Sequence, residues 1–401
     1  MPVRTIHKTV IFFDFFRCLI MWLAAFLLSL SATSRPQRLR KKLLIIRLDA
    51  IGDFILWLDA AGGLRRLYPQ EDYEITLLGN HIWTSLAEKL HWFDRVWPLE
   101  RKQYLLNPLY FIRMLLKVRA ESFDIVINPT YSREFKVGDI LTMASQAPLR
   151  IGSTGDLDRI KPWQRRISDR WYTLLVPAQD KSLMELERNA DFVRGLGSET
   201  FRSSVPELPL VSGLPPGFMV RDYFVIVPGA GSPAKQWPVR RFSEIAERIH
   251  QKTGWLAIIC GGPDDEPLGK NILEESDVPS ENWCGKTSLP ELVAVLSGAR
   301  LVITNDTGAA HIAAARSVPV ICIMGGGHPN RFMPYRIETR TSKPLPVPVV
   351  VDAECFGCGW QHCREAHSNT AVPCIMQISA DTVWHAVAHL IDRFTAGMDV
   401  K

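Results

Sequence analysis

The sequence predicts an α/β protein built from two Rossmann-like, doubly wound halves behind an N-terminal apolar helix. Three observations carry this. Short β-branched runs alternate with stretches of helical spacing, first after Lys42 and again after Tyr223, the pattern of parallel sheets covered by helices. The two series are separated by Pro206–Gly217 (PELPLVSGLPPG), which is dense in Pro and Gly and has no periodicity. At 401 residues the chain exceeds one ordinary core. Hydrophobic content of 47% and charged content of 22% are those of a globular protein. The +5 balance of 47 Lys+Arg over 42 Asp+Glu is too weak and dispersed to point to nucleic acid.

Residues 1–41 form the leading segment. Val10–Leu30 (VIFFDFFRCLIMWLAAFLLSL) is nearly long enough to span a bilayer, but Asp14 and Arg17 sit in its first half, where charge is costly at the membrane centre. Arg35, Arg38, Arg40, Lys41 and Lys42 follow and suit anionic headgroups. A signal peptide and a single-pass helix starting after Arg17 are the competing readings. A monotopic helix lying in the inner leaflet, with Asp14 and Arg17 on its wet face, fits the charges best.

The first half is expected at 42–205. Leu43–Leu48 reads as a buried strand, Asp49–Asp53 as a turn and Phe54–Tyr68 as a helix halted by Pro69. Tyr73–Leu78 is a second strand, followed by a helix at Ile82–Leu90, a strand near Arg95–Trp97, a helix at Pro108–Arg119 and a strand at Asp124–Asn128. Arg150-Ile151-Gly152 and Ser153–Arg166 read together as a long loop. Its Asp156-Leu157-Asp158 has the spacing of a metal-binding carboxylate pair but lacks the preceding apolar strand, and is read as chance. The basic run from Arg150 to Arg170 could face an anionic partner or be a solvated loop. Leu183–Gly195 is helical.

After the linker at 206–217, the second half is expected at 218–379, with Ala380–Phe394 as a closing helix within 380–401. Phe224–Val227 is a buried strand that breaks at Pro228-Gly229-Ala230-Gly231-Ser232-Pro233, whose glycines let backbone amides approach a ligand. Lys235 and Trp237-Pro238 follow, then Phe242, Ile245, Ala246 and Ile249 at helical spacing. Strand, glycine-rich turn, lysine and helix make a cradle for phosphate; the plainer reading is an ordinary βα turn with a solvated lysine. No Gly-Lys-Ser/Thr opens the helix, so nucleotide hydrolysis is not implied, and an incomplete GxGxxG argues against a nicotinamide site. Downstream, Asn305-Asp306-Thr307-Gly308-Ala309-Ala310-His311 joins a buried strand to a helix of small residues. The amides at that helix start could receive an anion or sugar hydroxyls, or the motif could be a plain N-cap with His311 in the core.

Four of the eight cysteines stand singly, and the others crowd into 355–374. Cys355 and Cys358 have CxxC spacing, and Cys363 and Cys374 could complete four thiolates for a structural zinc or an iron–sulfur cluster. The alternative is reduced thiols with a packing role.

VPGAGSPAKQWPVRRFSEIA together with NDTGAAHIAAARSVPVICIMG resembles the donor half of the family 9 glycosyltransferases, typified by ADP-heptose:lipopolysaccharide heptosyltransferases. LLIIRLDAIGDFILWLDAAGGLRRLYP is similar to the family's opening strand–turn–helix. The likeness runs from about Lys42 to the closing helix. It implies a GT-B fold with the acceptor domain first and the nucleotide-sugar domain second, facing across a cleft. It also implies inverting, metal-independent transfer of a sugar, heptose by analogy, to a lipid-linked surface glycan at the cytoplasmic face of the inner membrane. On this likeness Asp53, beside Gly52 on the acceptor side, is the general base. Lys235 contacts donor phosphate next to Gly229, Gly231 and Ser232, and Asp306, Thr307, Gly308 and His311 complete the donor site. A ribose ligand falls among Asp264, Asp265 and Glu266, with Glu266 chosen. No cofactor is needed for the chemistry. A nucleotide-sugar epimerase and a non-catalytic nucleotide-sugar binder are the alternatives on the same fold.

Overall fold

The computed structural model describes residues 38–179, 183–210, 212–219, 221–337, 339–354, 356–360 and 371–395. Val10–Leu30 lies outside them. Among the described residues no helix is long and apolar enough to cross a membrane. The chain forms two compact units. The first takes the described chain up to Asp49, 60–179 and Arg188–Phe201; the second takes Ala50–Asp59, 183–187 and the chain from Arg202 onward.

The first unit is a six-stranded parallel sheet. The elements of this half in chain order are β1 (Lys41–Arg47), α1 (Ile51–Leu67), whose first turns belong to the second unit, β2 (Tyr73–Asn80), α2 (Thr84–Ala87), β3 (Arg95–Leu99), α3 (Arg101–Leu106), α4 (Pro108–Ala120), β4 (Ile125–Asn128), α5 (Ile140–Ser145), β5 (Leu149–Ser153), α6 (Pro162–Ser168), β6 (Leu174–Val176) and α7 (Glu185–Gly195), whose start also belongs to the second unit. The strand order is β3-β2-β1-β4-β5-β6. β1 is central, with Leu43 in register with Ile75 on one side and Ile125 on the other. It is therefore buried from Leu43 onward, as its unbroken apolar run requires. Asp53 in the first turn of α1 and Arg65 and Arg66 in its last complement the helix dipole.

Two expectations for this unit change. The helix expected over Ile82–Leu90 shrinks to α2, because the buried Trp83 ties the segment down by donating from its indole nitrogen to the Asp49 carbonyl at 2.9 Å. The segment expected as a loop from Arg150 instead carries β5 through Ser153, paired with β4 at Val126, Ile127 and Asn128, and regains order in α6, which Pro162 opens. Gly152 is essential to this edge: a Cβ there would stand 2.4 Å from the Tyr172 ring. Within it Asp156 is buried, accepting from Ser132 Oγ at 3.0 Å and from the Asp158 amide at 3.1 Å, which is a turn-forming role. The basic run is largely committed. Arg150 donates to the carbonyls of Ala147 and Trp171, and Arg159 pairs with Glu134 at 2.8 Å, while Lys161, Arg166 and Arg170 are exposed.

The second unit repeats the plan: β7 (Tyr223–Val227), α8 (Val239–Thr253), β8 (Leu256–Ile259), α9 (Glu266–Glu274), β9 (Ser280–Asn282), α10 (Leu289–Gly298), β10 (Val302–Asn305), α11 (Gly308–Ala315), β11 (Val320–Ile323), β12 (Val347–Val349), α12 (Pro373–Met376) and α13 (Ala380–Thr395). Its sheet runs β12-β11-β10-β7-β8-β9, the same winding as the first. All five residues of β7 are buried. On α8 the residues Phe242, Ile245, Ala246 and Ile249 face a core that also takes Val383, Val387 and Ile391 of α13; each such side chain contributes about 1.5–3 kcal/mol when fully buried. Gly254 ends α8 at φ 73°, the left-handed cap that suits glycine. Ion pairs Arg248–Asp381 and Lys252–Asp392, both 2.7 Å, link α8 to α13. The proline-rich stretch packs on this unit: Leu208 is buried, and its carbonyl accepts from Arg316 at 2.6 Å.

Candidate active site

The winding of the second sheet reverses between β7 and β10, which are in register through Val225 and Val302. In open α/β sheets ligands settle outside the carboxyl ends of strands at such a point. The two segments leaving those ends are the glycine-rich turn after Val227 and the Asp306-Thr307-Gly308 entry to α11.

Asn305, the last residue of β10, fastens them together. It is fully buried. Its Nδ2 donates to the carbonyls of Pro228 (2.6 Å) and Gly229 (3.2 Å), and its Oδ1 accepts from the Trp237 amide at 3.1 Å. One amide side chain thus fixes both ends of the loop that carries Lys235. Trp237 is anchored again through its indole nitrogen to the Ile378 carbonyl at 2.8 Å. Lys235 closes the short 3-10 turn Pro233–Lys235, its amide donating to Ser232 O at 3.0 Å. Its Nζ lies 4.4 Å from the centroid of the Trp360 ring.

Of the three acidic residues after Gly262, the structure brings Asp265 to the turn. A Cβ on Gly229 would meet both Asp265 carboxylate oxygens at 2.3 Å, and Oδ2 accepts from the Gly262 amide at 2.8 Å. Burial raises the Asp265 carboxyl above its ordinary range, with the Gly262 bond opposing and Asp264 adding to the rise. Glu266, the residue chosen from the resemblance, begins α9 and is exposed. Gly231 has open space around it.

At the other strand end Thr307 caps α11, its Oγ1 accepting from the Ala309 amide at 3.3 Å and lying 3.1 Å from Thr304 Oγ1. Asp306 is half-buried, its amide donating to Ile323 O at 3.0 Å. His311 is buried, its Nδ1 2.8 Å from the Tyr335 hydroxyl and its ring stacked on that phenol at 11°. Burial pushes the imidazole down to about 4, against a smaller opposing pull from Asp306, so the ring is neutral at ordinary pH.

The start of α1 belongs to this same unit and meets α11 end to end. A Cβ on Gly308 would stand 2.8 Å from Ile51 Cγ2 and 3.2 Å from the Gly52 nitrogen; one on Gly52 would stand 3.0 Å from His311 Cδ2. Glycine at both positions lets two positive helix ends approach closely. Asp53, half-buried in the first turn of α1, is the next residue along. The structure therefore gathers Gly52, Asp53, Thr307, Gly308 and His311, and separately ties Gly229 and Lys235 to β10 through Asn305. Sequence reading gave no role to Asn305, Tyr335 or Trp360. Asn305 was visible only as the first letter of the NDTG run.

Among the cysteines, Cys374 is buried, and its Sγ would be 3.0 Å from a Cβ on Gly325; Cys358 is half-buried. Cys355 and Cys363 lie outside the described residues. No group of three or more His, Cys, Asp or Glu placed to hold a metal occurs among the described residues.

The family model described as glycosyltransferase family 9 (heptosyltransferase) matches residues 112–343, more than half of the 401 residues. The chain belongs to glycosyltransferase family 9. Lipopolysaccharide heptosyltransferase 2 of Escherichia coli K12 is 30% identical over 118 residues, which is 28% of this chain and 34% of that protein, so the match spans about a third of its length. Lipopolysaccharide heptosyltransferase 3 of Escherichia coli is 25% identical over 286 residues, 68% of this chain and 80% of the relative. The solved E. coli ADP-heptose lps heptosyltransferase II superposes with a TM-score of 0.63 at 18% identity, covering 88% of this chain and 99% of that one, a likeness of fold. The two repeated six-stranded sheets match those of GT-B-like heptosyltransferase structures.

Proposed function

We propose that this protein is an inverting, metal-independent glycosyltransferase that moves heptose from ADP-heptose to a lipopolysaccharide or related lipid-linked acceptor. The observation that carries the reading is the junction at the second sheet's switch point, where Asn305 locks the Lys235 loop beside the N-terminus of α11. A nucleoside diphosphate is the ligand such a place suits, since amides, a helix end and an ammonium all favour negative charge. The family and the names of its relatives support heptose as the sugar.

In this reading the acceptor hydroxyl attacks the anomeric carbon from the face opposite the diphosphate. A C–O bond forms to the acceptor and the C–O bond to phosphate breaks, the electron pair leaving on the phosphate oxygen. Asp53 takes the hydroxyl proton. Lys235 and the amide of Gly308 at the start of α11 stabilise the charge gathering on the leaving group more than they stabilise the ground state. Neutral His311, held by Tyr335, shapes the wall beside Gly52 without adding charge. Asp265 against the Gly229 turn is better placed than Glu266 to approach a ribose hydroxyl. No cofactor is required for the chemistry. Cys358 and Cys374 are read as reduced thiols with a packing role, and stoichiometric zinc or iron in protein purified without chelator would assign the cysteines to a metal instead. The enzyme acts at the cytoplasmic face of the inner membrane, held there peripherally by Val10–Leu30.

The test is transfer measured with ADP-heptose and a lipid-linked acceptor, in the presence of chelator. Turnover that survives chelation with inverted anomeric configuration supports the proposal. Release of free sugar epimer without acceptor would replace it with the epimerase reading.

A further inference from the structure

We propose that Trp360 is a positioning residue that sets Lys235 for the donor's diphosphate, and that residues 356–360 are pinned to the turn after β11 to deliver this indole. The inference rests on the reading of Lys235 as a phosphate ligand.

Trp360 is built into place from several directions. Its ring occupies space that Gly327 and Gly325 leave open at the end of β11: a Cβ on Gly327 would stand 2.2 Å from Cε2, and one on Gly325 would stand 2.8 Å from Cη2. The backbone of its segment is pinned to the same turn, Gly357 N donating to Gly326 O at 2.7 Å and Gly359 N to Gly327 O at 2.8 Å. Cys374 packs on Gly325 from the far end of the segment. Trp360 is only 9% exposed, its buried indole nitrogen has no hydrogen-bond partner among the described residues, and its φ of 64° is left-handed, which a bulky side chain adopts rarely. A left-handed backbone on a bulky, buried residue marks a position held for what its ring does.

What the ring does is support a cation. Among the described residues Lys235 has no carboxylate partner, and its Nζ rests over the indole face at 4.4 Å. A carboxylate would hold the ammonium just as firmly but would neutralise it and compete with phosphate. An aromatic face orients the ammonium and leaves its charge whole. The indole also restricts a four-carbon stem that would otherwise lose its freedom on binding.

The experiment is a double-mutant cycle on the full-length protein, reading ADP affinity by titration calorimetry with melting temperature as the folding control. Trp360→Leu is expected to weaken ADP about tenfold, the size of a desolvated cation–π contact. Trp360→Phe, which keeps a ring face, is expected to restore most of the loss. In a Lys235→Met background the Trp360→Leu change should have no further effect. Unchanged ADP affinity in Trp360→Leu, equal losses in both backgrounds, or no rescue by Phe would overturn the proposal and leave the phosphate reading standing. Wild-type ADP affinity in Lys235→Met would bring down the phosphate reading and this proposal with it.

Discussion

His311 shows how one buried side chain can carry a pH dependence. Its imidazole titrates at about 4 in the folded protein against about 6.5 unfolded. Between those values the unfolded chain binds a proton that the native state refuses, so stability rises with pH through this window. Acidification from pH 7 to pH 4 is therefore expected to remove about 3 kcal/mol through this residue, and His311→Gln should flatten that part of the curve in urea titrations run at each pH. A wild-type slope in the variant would mean that another group is responsible. Asp53 is expected to act on rate and not on stability. Asp53→Ala should lower transfer about 10²–10⁴-fold while ADP affinity stays within twofold of wild type, and normal turnover would refute its role as base.

At the scale of elements, the two glycine turns give a sharper test than the helices. Gly229→Ala drives a methyl into both Asp265 oxygens, whereas Gly231→Ala enters open space. The first should cost about 1–3 kcal/mol and the second should stay within about 0.5 kcal/mol of wild type; equal melting shifts would mean that the turn is not packed as described. These turns were legible in the sequence because glycine placement, helix caps and buried β-branched runs are local signals. Thr307 was readable as a cap for that reason. The three-residue strands β6, β9 and β12 were not, being too short to show any period. Nor was the choice of Asp265 over Glu266: the two are neighbours where a 3-10 turn passes into α9, and only the backbone path decides which one faces Gly229. The contact of Lys235 with Trp360 joins residues too distant in sequence for any pattern to link them.

At the scale of the whole molecule, both units carry the same winding of six parallel strands, yet the glycine-rich turn, Lys235 and the NDTG helix all belong to the second. ADP at a hundred times its dissociation constant should therefore stabilise the protein by about 2.7 kcal/mol, a shift that Lys235→Met should largely remove in a thermal scan. Deleting residues 1–34 is expected to move the protein from the membrane fraction to the supernatant without changing ADP binding; a truncated chain that still sediments would assign membrane contact to the folded units. The amide of Asn305 has one more consequence, which concerns ageing. Asparagine slowly hydrolyses to aspartate, and here that loss of one nitrogen would set a carboxylate against the carbonyl oxygens of Pro228 and Gly229, where two donated bonds had been. An aged chain would then keep every other residue of the turn and still lose the clasp that holds the Lys235 loop against β10, and the burial of Asn305 is what slows that loss.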